Sequence, residues 1–113
     1  MGNAAKEFLE KYKKDFEKVK VVAPDAVTGF GSLFSKVMKD GALSLREKEL
    51  VALGMAMALR CMPCVRLHVK KCLEAGATKE QIIEVAAVGV VMQGGPCFTH
   101  IAEVLEAIEA CET

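Results

Sequence analysis

The strongest constraint on the fold is a pair of helix-start signals, each followed by an apolar run too long for an ordinary surface helix. Ser44-Leu45-Arg46-Glu47 has the form of a capping box, in which the serine side chain accepts from the Glu47 N–H while the glutamate reaches back to the serine N–H. It launches an almost continuous apolar run from Leu50 to Leu59. Thr78-Lys79-Glu80-Gln81 repeats the device and leads into Ile82, Ile83, Val85 through Val88 and Val90 through Met92. The β-branched stretch Val88-Gly89-Val90-Val91 has strand character, but the capping box and a length of roughly 14 residues favour helix. Helices apolar on most faces are expected to be buried nearly all round, and two of them exceed what a chain of 113 residues covers comfortably. The excess reads as an oligomer interface.

The remaining segments fit an all-α reading of five to six helices joined by short turns, in a single domain spanning residues 1–113. Ala5, Phe8, Leu9, Tyr12, Phe16 and Val19 recur at helical spacing among lysines and glutamates, giving an amphipathic helix over residues 3 to 20. Pro24 opens a second helix carrying Val27, Phe30, Leu33, Phe34, Val37 and Met38, and Gly41 stands where a terminal glycine would stop it. Pro63 suits a first helical turn and Gly76 that helix's end. Gly94-Gly95-Pro96 breaks the chain before a last helix over about 97 to 110. The composition agrees: 52% hydrophobic but only 5% aromatic, without tryptophan, suits close helix packing.

Fifteen basic and fifteen acidic side chains cancel, so no electrostatic footprint favours nucleic acid or an anionic membrane. No uncharged run reaches the roughly 18 to 20 residues of a spanning helix, and the lysine-rich start lacks the features of a signal peptide. A cytoplasmic protein is expected. Its five cysteines are odd in number and not spaced like a secreted disulfide framework, which suits reduced thiols with one reactive pair.

That pair is Cys61 and Cys64, in Cys61-Met62-Pro63-Cys64-Val65-Arg66-Leu67-His68. Helical residues three apart have Cα atoms about 5 Å apart, within the usual disulfide range, so the two thiols can close reversibly. Helix N-terminal amides serve Cys61, and His68 lies one turn beyond Cys64, so both lower a thiol pKa from its ordinary value near 8.5. Cys64 is the expected attacking thiolate and Cys61 the resolving thiol, although the order can be reversed. The bland alternative makes both cysteines small core residues and His68 a satisfied surface histidine.

Cys61, Cys64, His68 and Cys72 also read like zinc ligands, but on one helix the outer two stand roughly 16 Å apart, whereas zinc ligands lie about 2.0 to 2.3 Å from the metal. No metal or other cofactor is expected. Haem attachment needs a histidine directly after the second cysteine, where Val65 stands. Cys97 and His100 form a weaker second thiol and imidazole pair. Cys72 and Cys111 read as ordinary buried or peripheral thiols, and Met55 and Met57 as core.

The segment from Glu49 to His68, with Glu49 twelve residues before Cys61, resembles the carboxymuconolactone decarboxylase superfamily, and within it the alkylhydroperoxidase D-like members. The likeness covers roughly residues 35 to 110. It implies an all-helical fold assembled as a homo-oligomer, a trimer or hexamer, and a cysteine-based peroxidase or disulfide reductase with an antioxidant role. The substrate would be a peroxide or small disulfide, and the redox partner a peroxiredoxin or a lipoyl- or thioredoxin-type protein. By the same likeness Glu49 and His68 would form a proton relay to the thiols. Related enzymes carry a histidine between the two cysteines where this chain has Pro63, so dithiol chemistry is better founded than alkylhydroperoxidase activity. True decarboxylases of the superfamily lack the cysteine pair, which speaks against lactone decarboxylation. A redox-sensing helical oligomer without turnover is the rival reading. Glu49 has a bland reading of its own, as a first-turn acid favoured by the helix dipole. A plain antiparallel hairpin would leave it about 9 Å out of step with His68, so the relay calls for steeply crossed helices or a neighbouring subunit.

Overall fold

Six helices and one further single turn of helix account for most of residues 2–112, which the computed structural model describes. They are α1 (Ala4–Val22), α2 (Pro24–Val37), α3 (Leu45–Leu59), α4 (Met62–Glu74), α5 (Lys79–Gln93), the short α6 (Gly95–Thr99) and α7 (Ile101–Glu112). The described residues contain no strand, so Val88 to Val91 lie in helix. Both capping boxes form. The Glu47 N–H donates to Ser44 Oγ (3.1 Å) and the Ser44 N–H to the Glu47 carboxylate (2.8 Å). Thr78 and Gln81 reproduce the exchange at the start of α5, at 3.1 and 2.9 Å.

Two helix ends share one hydrogen-bonding pattern with different residues at its tightest point. After α4 the Ala77 N–H bonds to Cys72 O and the Gly76 N–H to Leu73 O, with Gly76 at φ 93° as the glycine signal requires. After α3 the Cys61 N–H bonds to Ala56 O and the Arg60 N–H to Met57 O, both at 3.1 Å. Here the left-handed residue is Arg60 (φ 56°, ψ 38°), which an L side chain adopts at a cost of about 1 to 2 kcal/mol. Cys61 then serves as N-cap of α4 with Pro63 in the first turn, so the two cysteines do straddle a helix start.

The core is made of stripes at helical spacing. Helix α3 contributes Glu49, Leu53, Ala56 and Met57, α4 contributes Val65, Val69 and Cys72, α5 Ile82, Ala86 and Gly89, and α7 Val104, Ala107 and Ile108. Helix α3 lies at the centre, packed on both α4 and α5. Gly89 is buried where α3 and α6 meet α5: a Cβ built on it would stand 3.4 Å from Met57 Cβ and 3.7 Å from Cys97 Sγ.

Several expectations need correction. Helices α3 and α5 are not buried all round in the single chain: Val51, Met55 and Leu59 on one, and Val88, Val91 and Met92 on the other, are exposed, so Met55 is no core residue while Met57 is. Helix α2 stops at Val37 rather than at Gly41, because the Lys48 ammonium donates to Val37 O (2.8 Å) and Lys39 O (2.7 Å) and takes over the terminal carbonyls. No side chain of α2 is buried, and Phe30 is 67% exposed. The last helix is divided at His100 into α6 and α7. No helix of the described residues is long and apolar enough to cross a membrane.

Candidate functional site

Cys61 and Cys64 lie at disulfide distance, their Cα atoms 5.2 Å apart, at the mouth of α4. The Cys64 N–H donates to Cys61 Sγ at 3.3 Å, so an amide at the helix start points at the first sulfur, where negative charge is favoured. Both cysteines are partly exposed and within reach of a small substrate, whereas Cys72 and Cys97 are fully buried.

One turn after Cys64 stands His68, whose Nδ1 lies 2.7 Å from Glu49 Oε1. The side chain of Glu49 is 2% exposed and that of His68 20%. A carboxylate only accepts hydrogen bonds, so with Glu49 ionised this contact calls for the proton on Nδ1, and Nε2 is then the nitrogen that can exchange one. The gap of about 9 Å expected for a plain hairpin is closed within one chain, with no contribution from a second subunit. Glu49 is the fifth residue of α3, beyond the first turn, where Glu47 is the acid that the helix dipole favours. It occupies instead the position four residues before Leu53 on the buried stripe, where an apolar side chain is the rule. Burying a carboxylate is costly unless it is paired, and His68 supplies the partner.

Cys72 follows His68 by a further turn. Its burial, and secondarily the charge of Glu49, push its thiol up to about 12, so it stays protonated and inert. Cys111 is half-buried, and burial raises its thiol as well. Neither joins the Cys61 and Cys64 pair. Cys97 and His100 do not act on one another in the structure: the buried Cys97 S–H donates to Met57 O (3.2 Å), and His100 Nδ1 pairs with Glu103 Oε2 (2.8 Å). Among the described residues no group of three or more His, Cys, Asp or Glu side chains comes together to hold a metal ion.

Spacing alone does not single out Glu49, yet the sequence holds a signal for it. The stripe Leu53, Ala56, Met57 extended back by one turn lands on a carboxylate, and an acid on a core stripe requires a partner.

Known proteins resemble the chain over most of its length. A carboxymuconolactone decarboxylase family protein of Legionella pneumophila superposes with a TM-score of 0.91 at 32% identity, covering 99% of this chain and 100% of that one. A Thermotoga maritima member, whose structure was described in connection with an antioxidative response, superposes with a TM-score of 0.79 at 29% identity over 94% of this chain and 90% of its own. Among curated sequences, an uncharacterized protein of Cupriavidus necator is 30% identical over 102 residues, 90% of each chain. An uncharacterized protein encoded in the cox locus of Paracoccus denitrificans is 36% identical over 80 residues, 71% of this chain and 72% of that one. The sequence model of the carboxymuconolactone decarboxylase family matches residues 24–107, and together with the helical fold this establishes that the chain belongs to that family.

Proposed function

We propose that the protein is a thiol-dependent oxidoreductase that reduces a peroxide or a small disulfide with the Cys61 and Cys64 dithiol. The observation that carries this reading is the 2.7 Å contact between buried Glu49 and His68, one turn from Cys64. A core carboxylate held against an imidazole beside two accessible thiols is the arrangement of a general base fixed by an orienting partner.

In the reduced state His68 Nε2 accepts the Cys64 proton, and Glu49 stabilises the imidazolium that results. The Cys64 thiolate attacks a peroxide oxygen, the O–O bond breaks, and the leaving alkoxide takes the proton from His68. Cys64 is then a sulfenic acid, oxidised by two electrons. Cys61 attacks that sulfur, the S–S bond forms, and water departs with the Cys61 proton. An external dithiol of the lipoyl or thioredoxin type restores both thiols by exchange through a mixed disulfide. A disulfide substrate enters by the same exchange without the sulfenic acid. Pro63, between the cysteines, contributes no proton-transfer group, so one imidazole serves both half-reactions.

The working form is a homo-oligomer in this reading. The exposed side chains Phe30, Leu33, Met55, Leu59, Val91 and Met92 are the supporting observation. Burying each such side chain is worth roughly 1.5 to 3 kcal/mol, enough for a few of them to dominate the stability of so small a domain. Light scattering at micromolar concentration should find an assembly, and a well-folded monomer would refute it.

Turnover tests the catalytic reading. Peroxide and disulfide substrates are offered with lipoyl, thioredoxin and glutathione donors in parallel, and continuous consumption is expected with at least one dithiol donor. A single stoichiometric oxidation without turnover would establish a sensor instead.

A further inference from the structure

Cys97 has no part in the chemistry above, and its thiol nevertheless makes a specific contact. It is completely buried on α6, and its S–H donates to the Met57 carbonyl, 40 residues away in the chain, at 3.2 Å. A buried cysteine acting as a small apolar filler needs no acceptor. Met57 O is also the acceptor for the Arg60 N–H at 3.1 Å, and the neighbouring Ala56 O accepts the Cys61 N–H at 3.1 Å. Those two bonds define the turn between α3 and α4.

The turn works against the preference of its own sequence, since its left-handed residue is an arginine. Support from outside the turn is therefore valuable, and the α6 thiol reaches the very carbonyl that closes it. Beyond the turn, Cys61 holds extended backbone (φ −92°, ψ 98°), which sets its sulfur to accept the Cys64 N–H. Gly89 lies at the same junction, where a Cβ built on it would stand 3.4 Å from Met57 Cβ and 3.7 Å from Cys97 Sγ, so Met57 and Cys97 pack on one spot of α5. We propose that Cys97 is a positioning residue for the dithiol: through Met57 O it pins the Arg60–Cys61 turn, and so holds Cys61 and Cys64 at the separation that favours their disulfide.

This inference rests on the redox reading only in taking Cys61 and Cys64 as the working pair, and its test reads an equilibrium rather than turnover. A wild-type protein that forms the disulfide but shows no turnover would sink the catalytic reading and leave this one standing. The full-length protein, at one fixed concentration, is equilibrated with mixtures of reduced and oxidised glutathione. Acid quenching, alkylation and peptide mass spectrometry then measure the Cys61–Cys64 disulfide. Cys97→Ala should shift the equilibrium toward the dithiol by more than twofold and at most about tenfold, the ceiling being one whole buried hydrogen bond lost from the disulfide state alone; a tenfold shift corresponds to about 30 mV. Cys97→Ser retains a donor in nearly the same place and should stay within about twofold of wild type. The backbone amides of Arg60 and Cys61 should exchange faster in Cys97→Ala and not in Cys97→Ser. Should the alanine variant fail to fold, Cys97→Val fills the space without a donor and must show the same shift. Equal displacement in the serine and the donor-free variants, or none in any of them, would overturn the proposal.

Discussion

Glu49→Gln separates function from stability more cleanly than any other substitution in this chain. The carboxylate sits on the buried stripe of α3, 2% exposed, with its Oε1 2.7 Å from His68 Nδ1. Glutamine preserves length, volume and one acceptor oxygen, and exchanges the charged oxygen for a neutral amide N–H2. A hydrogen bond to a charged group is worth about 1.5 to 3 kcal/mol and a neutral one about 0.5 to 1.5, so the change weakens the support of an imidazolium by about 1 to 1.5 kcal/mol. That imidazolium exists only after His68 has taken the thiol proton, so the loss falls on the reacting state. At about 1.4 kcal/mol per tenfold, turnover should fall roughly 5- to 10-fold. Stability responds to a different balance, because glutamine escapes the cost of desolvating a carboxylate but brings an amide N–H2 that needs a partner in the core. The assay pairs steady-state peroxide or disulfide reduction at pH 7 with denaturant unfolding of the same preparations. Unaltered turnover in a folded Glu49→Gln protein would refute the relay. So would a loss that merely tracks a drop in stability.

Three further outcomes follow from the geometry. His68→Gln should cost roughly 10²- to 10⁴-fold in turnover, the usual contribution of a positioned base; the pH profile of Cys64 alkylation should also move toward that of a free thiol, about 8.5, and an unchanged profile would make the histidine a bystander. Cys72, pushed up to about 12 by burial and by Glu49, supports the folded state fully below the ordinary thiol value of about 8.5 and loses that support as pH rises toward 12. Urea unfolding across that range should therefore fall more steeply for wild type than for Cys72→Ala, by at most about 1.4 kcal/mol per pH unit. Arg60→Gly relieves the left-handed strain that Gly76 avoids in the same motif, and should stabilise by about 1 kcal/mol, read as a rise of a few degrees in Tm at fixed protein concentration.

Local chemistry was legible wherever a residue acts on its own backbone. Ser44, Glu47, Thr78 and Gln81 form their caps, and Pro63 and Gly76 bound α4 as their stereochemistry demands. Gly41 misled because the end of α2 is set by the Lys48 side chain from the following helix, a contact that no local pattern encodes. The apolar runs of α3 and α5 identified helices but not their surroundings, since periodicity does not distinguish a face covered by the same chain from one covered by another. At the site, Cys61, Cys64 and His68 came from spacing on one helix. Glu49 entered through family resemblance, because its partner lies on a different helix and register between helices is a property of packing.

Helix α2 carries a consequence for how the molecule comes apart. Its 14 residues bury no side chain, and a helix of that length is marginal in water by itself. Its ties to the body include packing against α1, the Lys48 bond to Val37 O and the stacking of the Lys71 ammonium, 4.7 Å from the centre of the Phe34 ring. The free energy for opening this segment lies near the bottom of the scale, far below that of α3 and α4, whose amides are sealed by the core. If the proposed oligomer covers Phe30 and Leu33, dilution that uncovers them should melt α2 first, while the thiol-bearing helix stays folded. Protease cuts within residues 24 to 44 would in that case serve as a clock for release of the proposed subunits, running faster as the protein is diluted; a rate independent of concentration would leave the opening of α2 to the single chain.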